Sequence, residues 1–290
     1  MSQPTNQIMH IALTADARYI EPLETVLKSV MCCHRHVHFH LIHHNQYDEQ
    51  WFAQINRSLK LLNSHIHSVL INNELFAQLR SGVGLPESSF YRMAIPQLIE
   101  ADRVLYLDSD VVVRLPLNTF YWQDFSGCLT VAVPDMFLMH PDIERAILPH
   151  LSNYFNSGVL LMNVALWRET QFTQHLTQVM AAHPHCKNGD QDILNIALDG
   201  KWQPEKIGYN YQTHVLARFV EQHAYHYLGE STYCPNEQLA IVHFSGQPKP
   251  WNDPTAFYAP LYQQYHQMTW ETVISTNAQF FQAASNMPEN

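Results

Sequence analysis

Charged side chains are scarce in this 290-residue chain. They make up 14% of it, against about 25% in an average soluble protein. Glycine is also rare, at nine residues, which excludes a glycine-rich repeat architecture. No stretch reaches the ~18 uncharged apolar residues of a membrane span. The formal net charge is −10, which argues against a nucleic-acid-binding protein because such proteins need a basic surface.

The cysteine pattern and the first residues favour a reducing compartment. There are five cysteines, including one adjacent pair, and an odd number makes a poor disulfide framework. No C-x-x-C pair predicts a zinc site. The first residues contain neither a cationic segment nor a continuous apolar stretch, so a secretory signal is not expected. We therefore expect a cytoplasmic protein.

Apolar residues make up 46% of the chain, and they fall into alternating strand and helix patterns. The spacing predicts strands over 10–14, 37–43, 68–71, 103–107, 129–133, 158–162 and 240–243, and helices over 20–31, 48–62, 88–100, 166–182 and 190–198. This alternation predicts one α/β domain with a mostly parallel, Rossmann-like sheet flanked by helices, and a less regular C-terminal part. Ligands of such sheets bind at the carboxyl ends of strands.

The strand at 103–107 is followed directly by Asp108 and Asp110. Two carboxylates at this spacing can approach one point, where they repel each other unless a cation lies between them. A hard divalent cation takes such oxygen ligands and leaves positions for phosphate oxygens. An ordinary acidic turn explains the motif equally well, so the metal site depends on other segments.

The segment AIVHFSGQPKPW favours the metal site. His243 ends a strand, and a neutral imidazole is a suitable third ligand for a metal such as Mn²⁺. In the loop that follows, Gly246 allows backbone N–H groups to approach a phosphate, and Lys249 offers a point charge to it. For an isolated histidine, a hydrogen-bonded structural role is the usual alternative.

Two polar clusters complete the set of candidate residues. Asn156, Ser157 and Asn163 surround an apolar strand, and the segment GDQD opens a helix with Asp190 and Gln191. Because the helix dipole favours acidic residues in a first turn, the second cluster alone needs no functional explanation.

Taken in order, six segments resemble glycosyltransferase family 8, over about residues 9 to 251: HIALTADARYI, SSFYRMAIPQLI, VLYLDSDVVV, YFNSGVLLMN, GDQDILN and HFSGQPKPW. Members of this family are retaining, metal-dependent enzymes with a GT-A fold that use UDP-sugars. Within the family, this sequence resembles the bacterial lipooligosaccharide galactosyl- and glucosyltransferases. The resemblance implies a GT-A nucleotide-sugar-binding catalytic domain over 1–250, and an aromatic-rich helical extension over 251–290.

The resemblance also implies roles for individual residues. Asp108, Asp110 and His243 would bind Mn²⁺ or Mg²⁺. Asp190 and Gln191 would be the catalytic residues facing the transferred sugar, and Asp135 would lie on the acceptor side. The donor would be held by Thr14, Asp16, Tyr19, Arg92, Asp108, Ser109, Asn156, Ser157, Gly246 and Lys249.

The implied reaction moves galactose or glucose from a UDP-sugar to a saccharide acceptor, such as the lipooligosaccharide or lipopolysaccharide core or another surface glycan. We favour attack by the acceptor on the face that UDP leaves, because Gln191, the positional candidate for a covalent intermediate, carries an amide and is a poor nucleophile. The sequence leaves open which sugar is transferred, the acceptor and linkage, and the oligomeric state.

The C-terminal segment departs from the pattern of these relatives, which often end in a basic, aromatic tail that touches the membrane. No Lys or Arg follows Lys249, so anionic lipid would not attract this tail. We expect its aromatic side chains to pack on the domain. At most a weak peripheral contact with the inner face of a bacterial inner membrane is expected, and the acceptor is either soluble or lipid-linked.

Three other functions compete with this prediction. A haloacid dehalogenase-like phosphatase would use Asp108 as nucleophile and Asp110 as acid/base. A non-catalytic nucleotide-sugar-binding protein would keep the fold without the reaction, and a glycogenin-like enzyme would glucosylate itself.

Alternate positions of one segment are histidines: His34, His36, His38 and His40. On a strand these four side chains would share one face. They would form either a metal site or polar positions of the sheet.

Overall fold

The computed structural model describes residues 7–45, 47–72, 74, 87–136, 151, 153–216 and 234–286. A central sheet has the strand order β3-β2-β1-β4-β7-β6-β8. Its strands are β1 (Met9–Thr14), β2 (Val37–His43), β3 (His65–Leu70), β4 (Arg103–Leu107), β6 (Thr130–Pro134), β7 (Phe155–Asn163) and β8 (Trp202–Pro204). Strand β7 runs opposite to its neighbours β4 and β6, while the other pairings are parallel. The mostly parallel α/β sheet is therefore confirmed.

A small second sheet has the order β5-β10-β9, formed by Val111–Val113, Ile241–His243 and Tyr211–Gln212. The α-helices are α1 (Ile20–Met31), α2 (Glu49–Lys60), α3 (Ile95–Leu98), α4 (Asn118–Tyr121), α5 (Val164–Glu169), α6 (Phe172–Ala182), α7 (Asp190–Ala197), α8 (Ala259–His266) and α9 (Trp270–Ser285). Short 3-10 helices cover Ala17–Tyr19, Glu87–Ala94 and Ile207–Tyr209.

Apolar side chains cover both faces of the central sheet, because successive residues of a strand point to opposite sides. Ile11 and Leu13 of β1 belong to the core shared with α1 and α2. Ala12, between them, belongs to a second core that includes Tyr106 and Trp167. Strands buried on both faces read as continuous apolar runs, which is why the sequence pattern located most of them.

Four predicted elements differ clearly from the structure. The strand predicted over 158–162 begins three residues earlier, as β7 (Phe155–Asn163). The third strand is His65–Leu70 rather than 68–71. Residues 88–100 form a 3-10 helix and one α-helical turn instead of a continuous helix, since Pro96 lacks the N–H group that a helix interior requires. The helix predicted over 166–182 is two helices, because Gln171 between them adopts a left-handed conformation with φ 53°.

The prediction that His34, His36, His38 and His40 share a strand face is wrong for the first two. Strand β2 begins only at Val37. His34 is buried just after α1, where its Nδ1 donates to the Val30 carbonyl at 2.9 Å and its Nε2 accepts from the Leu117 amide at 2.8 Å. His36 has a φ of 57°, because the chain turns there from the helix into the strand.

The strand ends bring the candidate site residues to one edge of the sheet. Strands β1, β4 and β6 are parallel, so Thr14, Asp108 and Asp135 lie at the same edge. The reversed strand β7 starts at this edge, where the Asp108 amide donates to the Gly158 carbonyl at 2.8 Å. The small sheet pairs His243 with Val111, which places His243 beside Asp110.

Candidate active site

Two carboxylates and one imidazole form a cluster at this edge, which we call the metal cluster: Asp108, Asp110 and His243. The candidate ligand atoms of Asp108, Asp110 and His243 all lie within 4.8 Å of one another. The Nε2 atom of His243 is 3.3 Å from a carboxylate oxygen of Asp110 and 3.7 Å from one of Asp108. Carboxylate oxygens with one imidazole suit Mn²⁺ or Mg²⁺, so the donor set fits a divalent cation.

Lys249 supplies positive charge to the cluster. Its ammonium lies 2.5 Å from an oxygen of Asp110 and donates to the Phe244 carbonyl at 2.6 Å. Burial alone would raise the pKa of Asp110, but Lys249 and His243 outweigh burial and hold that pKa well below its usual range. Asp110 is therefore an anion at any physiological pH, as a metal ligand must be.

Arg92 connects the metal cluster with the opposite wall of the site. Its guanidinium pairs with Asp108 at 2.9 Å and with Asp190 at 3.2 Å, and it donates to the Ser157 carbonyl at 2.5 Å. Burial would lower the pKa of Arg92, but the two carboxylates outweigh burial and raise it. This fully charged side chain lies over the ring of Tyr106, with 4.4 Å from its Cζ to the ring centroid.

Hydrogen bonds fix the strand ends that carry Asp108. The Tyr106 hydroxyl donates to Asp108 at 2.5 Å and is 2.9 Å from the hydroxyl of Thr14. The Ser109 hydroxyl donates to the Thr14 carbonyl at 2.6 Å. The hydroxyls of Ser109 and Thr14 therefore hold the backbone and side chains of the site in place. Their predicted contacts with the donor would come in addition to these hydrogen bonds.

Two residues that the sequence analysis missed shape the metal cluster. Asn210 is completely buried. Its side-chain oxygen accepts from Nδ1 of His243 at 2.9 Å, which turns Nε2 toward the carboxylates. At Gly158 an added Cβ would lie 2.2 Å from His243 Cε1 and 2.7 Å from an Asp108 oxygen, so only glycine leaves room for these ligands. Asn210 lies in no recognised motif, whereas the NSG triplet was an available signal for Gly158.

Both the oxygen and the nitrogen of the Gln191 side-chain amide form hydrogen bonds within the site. Its oxygen accepts from the Asn156 side chain at 3.1 Å and from the Ser157 amide at 3.0 Å. Its nitrogen donates to Asp135 at 3.2 Å and to the Tyr154 hydroxyl at 3.3 Å. The structure therefore brings the predicted sugar-facing and acceptor-side residues into one network. Asn156 also accepts from Asn210 at 2.9 Å, which joins this network to the metal cluster.

Asp190 is a buried carboxyl at the start of α7. Burial raises its pKa to about 6, although the neighbouring Arg92 opposes this increase. The Ser157 hydroxyl donates to it at 3.3 Å. At neutral pH most of the population carries a negative charge, which is the state needed to stabilise a developing cation.

A cleft of about 140 Å³ lies beside the metal cluster and is lined in part by Asp108 and Asp110. Six predicted donor-binding residues line it: Thr14, Asp16, Tyr19, Arg92, Asp108 and Ser109. The predicted metal ligand Asp110 also lines it, as do Ala15, Ser88 and Ser89, which were not predicted site residues. The ring of Tyr19 meets that of Trp251 edge-on, with centroids 5.7 Å apart. The Asp16 carboxylate is held by Arg18, 2.7 Å away.

Gly246 follows the metal-ligand strand in a conformation that favours glycine. Its φ is 71°, and an added Cβ would lie 2.8 Å from the Cβ of His214. The close approach and the left-handed backbone both require a residue without a side chain. Gly246 therefore fixes the path of the loop that carries Lys249 back to Asp110.

Comparison with known proteins defines the class of protein that carries this site. The model of the family described as "Glycosyl transferase family 8" matches residues 10–255. This match covers most of the chain, so the chain belongs to that family. The membership excludes the dehalogenase-like phosphatase.

Particular relatives agree with this classification. Glycosyltransferase GlyF of Streptococcus pneumoniae serotype 4 is 33% identical over 83% of this chain and 57% of its own length. Lipopolysaccharide 1,2-glucosyltransferase of Escherichia coli K12 is 24% identical over 86% of this chain and 74% of its own length. This chain thus spans little more than half of GlyF.

Among solved structures, the fold is similar to that of galactosyltransferase LgtC in complex with donor and acceptor sugar analogues. The TM-score is 0.73 at 24% identity, and the match covers 91% of this chain and 100% of LgtC. This likeness confirms the GT-A fold. Within the described part of the chain, no helix combines the length and apolar character that crossing a bilayer requires.

Proposed function

We propose that the protein is a retaining hexosyltransferase that moves galactose or glucose from a UDP-sugar to a saccharide acceptor. The observation that carries the proposal is the convergence of Asp108, Asp110 and His243 within 4.8 Å, flanked by the cations Lys249 and Arg92. Mn²⁺ or Mg²⁺ is the proposed cofactor. When bound, such an ion acts as a Lewis acid that stabilises negative charge on a diphosphate leaving group.

The protein's own residues divide the remaining work. Lys249 neutralises the diphosphate as its bond to the sugar breaks. The ionised Asp190, held by Arg92 at 3.2 Å, stabilises positive charge on the anomeric carbon. Tyr19 and Asp16 line the cleft and hold the uracil. Asp135 and Gln191 orient the acceptor and the transferred sugar.

Retention of configuration proceeds by attack on the face from which UDP leaves. The bond from the anomeric carbon to the phosphate oxygen breaks, the acceptor oxygen bonds to that carbon, and the acceptor proton passes to the departing phosphate oxygen. The hydrogen bonds of Gln191 support this route, because its amide oxygen already accepts two hydrogen bonds and is a poor nucleophile. A glycosyl adduct isolated on Gln191 or Asp190 would contradict it.

The proposed acceptor is the lipooligosaccharide or lipopolysaccharide core, or another surface glycan. The support is the family membership together with the Escherichia coli lipopolysaccharide glucosyltransferase among the relatives. The proposed location is the cytoplasm, at most in weak contact with the inner membrane.

A UDP-release screen tests the proposed function. The full chain is incubated with several UDP-sugars and candidate acceptors, with and without Mn²⁺. We expect release from UDP-galactose or UDP-glucose that depends on the metal. If no donor is turned over, or if turnover is equal with and without metal, the proposal is wrong. Binding without turnover would favour a non-catalytic protein, and hexoses added to the chain itself, seen by intact-mass analysis, would favour self-glucosylation.

A further inference from the structure

Five histidines from three neighbouring strands share one face of the central sheet. Strand β1 contributes His10, β2 contributes His38 and His40, and β3 contributes His65 and His67. The parallel register places His10 beside His38, His38 beside His65, and His40 beside His67. We call these five residues the histidine face. The mechanism proposed above uses none of them.

Two of these rings already have the spacing of a chelate. The Nδ1 atom of His10 lies 3.0 Å from Nε2 of His40, and the rings are stacked with centroids 5.3 Å apart. Imidazole nitrogens bind Zn²⁺ at about 2.0–2.1 Å, so two nitrogens on one ion are roughly 3 Å apart. A metal ion would take the place of the hydrogen bond between the two rings.

Further imidazoles surround this pair. The ring of His67 stacks on His40 with a centroid distance of 5.5 Å. The ring of His38 lies edge-on to both His10 and His67, at 5.6 Å from each. No third imidazole nitrogen of the described chain lies within 4.8 Å of both His10 and His40, so His38 or His67 would have to change its side-chain conformation to become a third ligand.

The histidine face is neutral at physiological pH, which is the state that binds metals. Burial and the neighbouring histidines lower the pKa of His10, and the same causes lower that of His40 to about 3. Each ring therefore keeps a nitrogen lone pair. The rings of His10, His38 and His40 are only half-buried, so a bound ion can also keep water ligands.

We propose that the histidine face is a second metal site, specific for a borderline transition metal such as Zn²⁺, Ni²⁺ or Cu²⁺, with His10 and His40 as its first two ligands. All-imidazole ligands suit these ions, whereas the carboxylates of Asp108 and Asp110 suit Mn²⁺ and Mg²⁺. His10 lies four residues before Thr14, or about 13 Å along the strand. The second site is therefore separate from the active site and does not depend on the proposed reaction.

Zinc titration of the full chain tests this proposal. Calorimetry is done on an Asp110→Asn background, so that the oxygen-rich cluster contributes little binding. We expect His10→Gln/His40→Gln to lower Zn²⁺ affinity by an order of magnitude or more. The matched control is His183→Gln/His185→Gln, which removes an exposed His-x-His pair from a loop and should leave Zn²⁺ affinity unchanged. Equal affinity in the two double variants would overturn the proposal.

A spectroscopic measurement keeps the test decisive if the double variant folds poorly. Cu²⁺ added to the Asp110→Asn chain should show electron spin echo modulations from at least two imidazoles. Detection of one imidazole or none would overturn the proposal. Circular dichroism of each variant before titration establishes that the sheet is intact.

Discussion

Asp110 is the residue on which the metal cluster depends most directly. It faces His243 at 3.3 Å and Lys249 at 2.5 Å. We expect Asp110→Asn to lower Mn²⁺ affinity and metal-dependent turnover by at least about 100-fold, because the amide keeps the shape but loses the charge. Electron paramagnetic resonance of free Mn²⁺ measures the affinity. The control is Asp253→Asn, which alters a half-buried carboxyl outside the cluster that accepts hydrogen bonds from Thr255. Full activity of Asp110→Asn would exclude this cluster as the metal site.

Asn210 is a positioning residue that acts on the metal through His243. Its amide accepts from His243 at 2.9 Å and donates to Asn156 at 2.9 Å. We expect Asn210→Ala to lower Mn²⁺ affinity by about 10–100-fold, the usual cost of losing a partner of a metal-bound histidine. The matched control is Asn195→Ala, since Asn195 is an equally buried amide that contacts the Phe155 backbone instead. If both variants bind Mn²⁺ alike, Asn210 contributes only to folding.

Asp190 makes stability depend on pH in an unusual direction. Burial raises its pKa to about 6 from the ordinary value of 3.8 for an aspartate. The folded chain therefore holds this proton more tightly, so the carboxyl favours folding below its unfolded pKa and loses that contribution as pH rises through about 6. Relative to the parent chain, Asp190→Asn should gain up to about 3 kcal/mol between acidic and neutral pH. Urea unfolding of both chains across this range measures the difference, and a constant difference would show that Asp190 is not perturbed.

At the scale of elements, one buried amide links the last helix to the end of α1, in addition to the apolar side chains by which that helix packs on the core. Asn277 of α9 donates to the carbonyls of Met31 and His34 at 2.7 and 2.8 Å, and it accepts from Arg35 at 2.7 Å. It thereby satisfies the carbonyl of the last residue of α1, which has no partner within that helix, and the carbonyl of His34 in the loop that follows. The C-terminal helices are in this way part of the packing around α1.

The expected cost of losing this amide is large. Asn277→Ala leaves two buried carbonyls without donors, so we predict a loss of about 2–4 kcal/mol of unfolding free energy. Gln279→Ala, an exposed position on the same helix, should change stability by less than about 0.5 kcal/mol. Urea denaturation compares the two variants. Equal stabilities would mean that α9 docks without the help of Asn277.

The elements also show which parts of the fold a sequence pattern can specify. Strand β4 and the two aspartates after it were predictable, because a short apolar run ending in acids is a local signal. The break at Gln171 and the turn at His36 were not, since both positions adopt a positive φ without glycine. Asn210 was equally inaccessible, because its role arises from contact with residues 33 and 54 positions away.

At the scale of the whole molecule, local and global charge differ. The net charge is −10, yet the site places Arg92 and Lys249 against three carboxylates. Both cations are buried and held by short contacts, so their charge acts on a bound diphosphate with little screening. The negative net charge therefore does not prevent the site from binding an anionic nucleotide. It does oppose contact with large anionic surfaces.

The largest such surface is an anionic membrane. No cation follows Lys249, and several aromatics of this segment pack on the domain. Tyr262 and Tyr265 are buried, and Phe281 packs against the guanidinium of Arg35, 4.3 Å from its ring centroid. A surface that presents neither basic charge nor a broad set of exposed aromatics gains little from anionic lipid.

We therefore predict that the full chain does not co-sediment at low salt with vesicles of phosphatidylglycerol and phosphatidylethanolamine. A variant with cations at exposed positions of α9, Glu271→Lys/Ser275→Lys/Gln279→Lys, should bind them, because each lysine near the surface contributes about 1 kcal/mol. Strong binding of the parent chain would contradict the prediction. Loss of that binding in Phe257→Ser/Tyr258→Ser, which removes two exposed aromatics, would then locate the contact in the C-terminal segment and favour a lipid-linked acceptor.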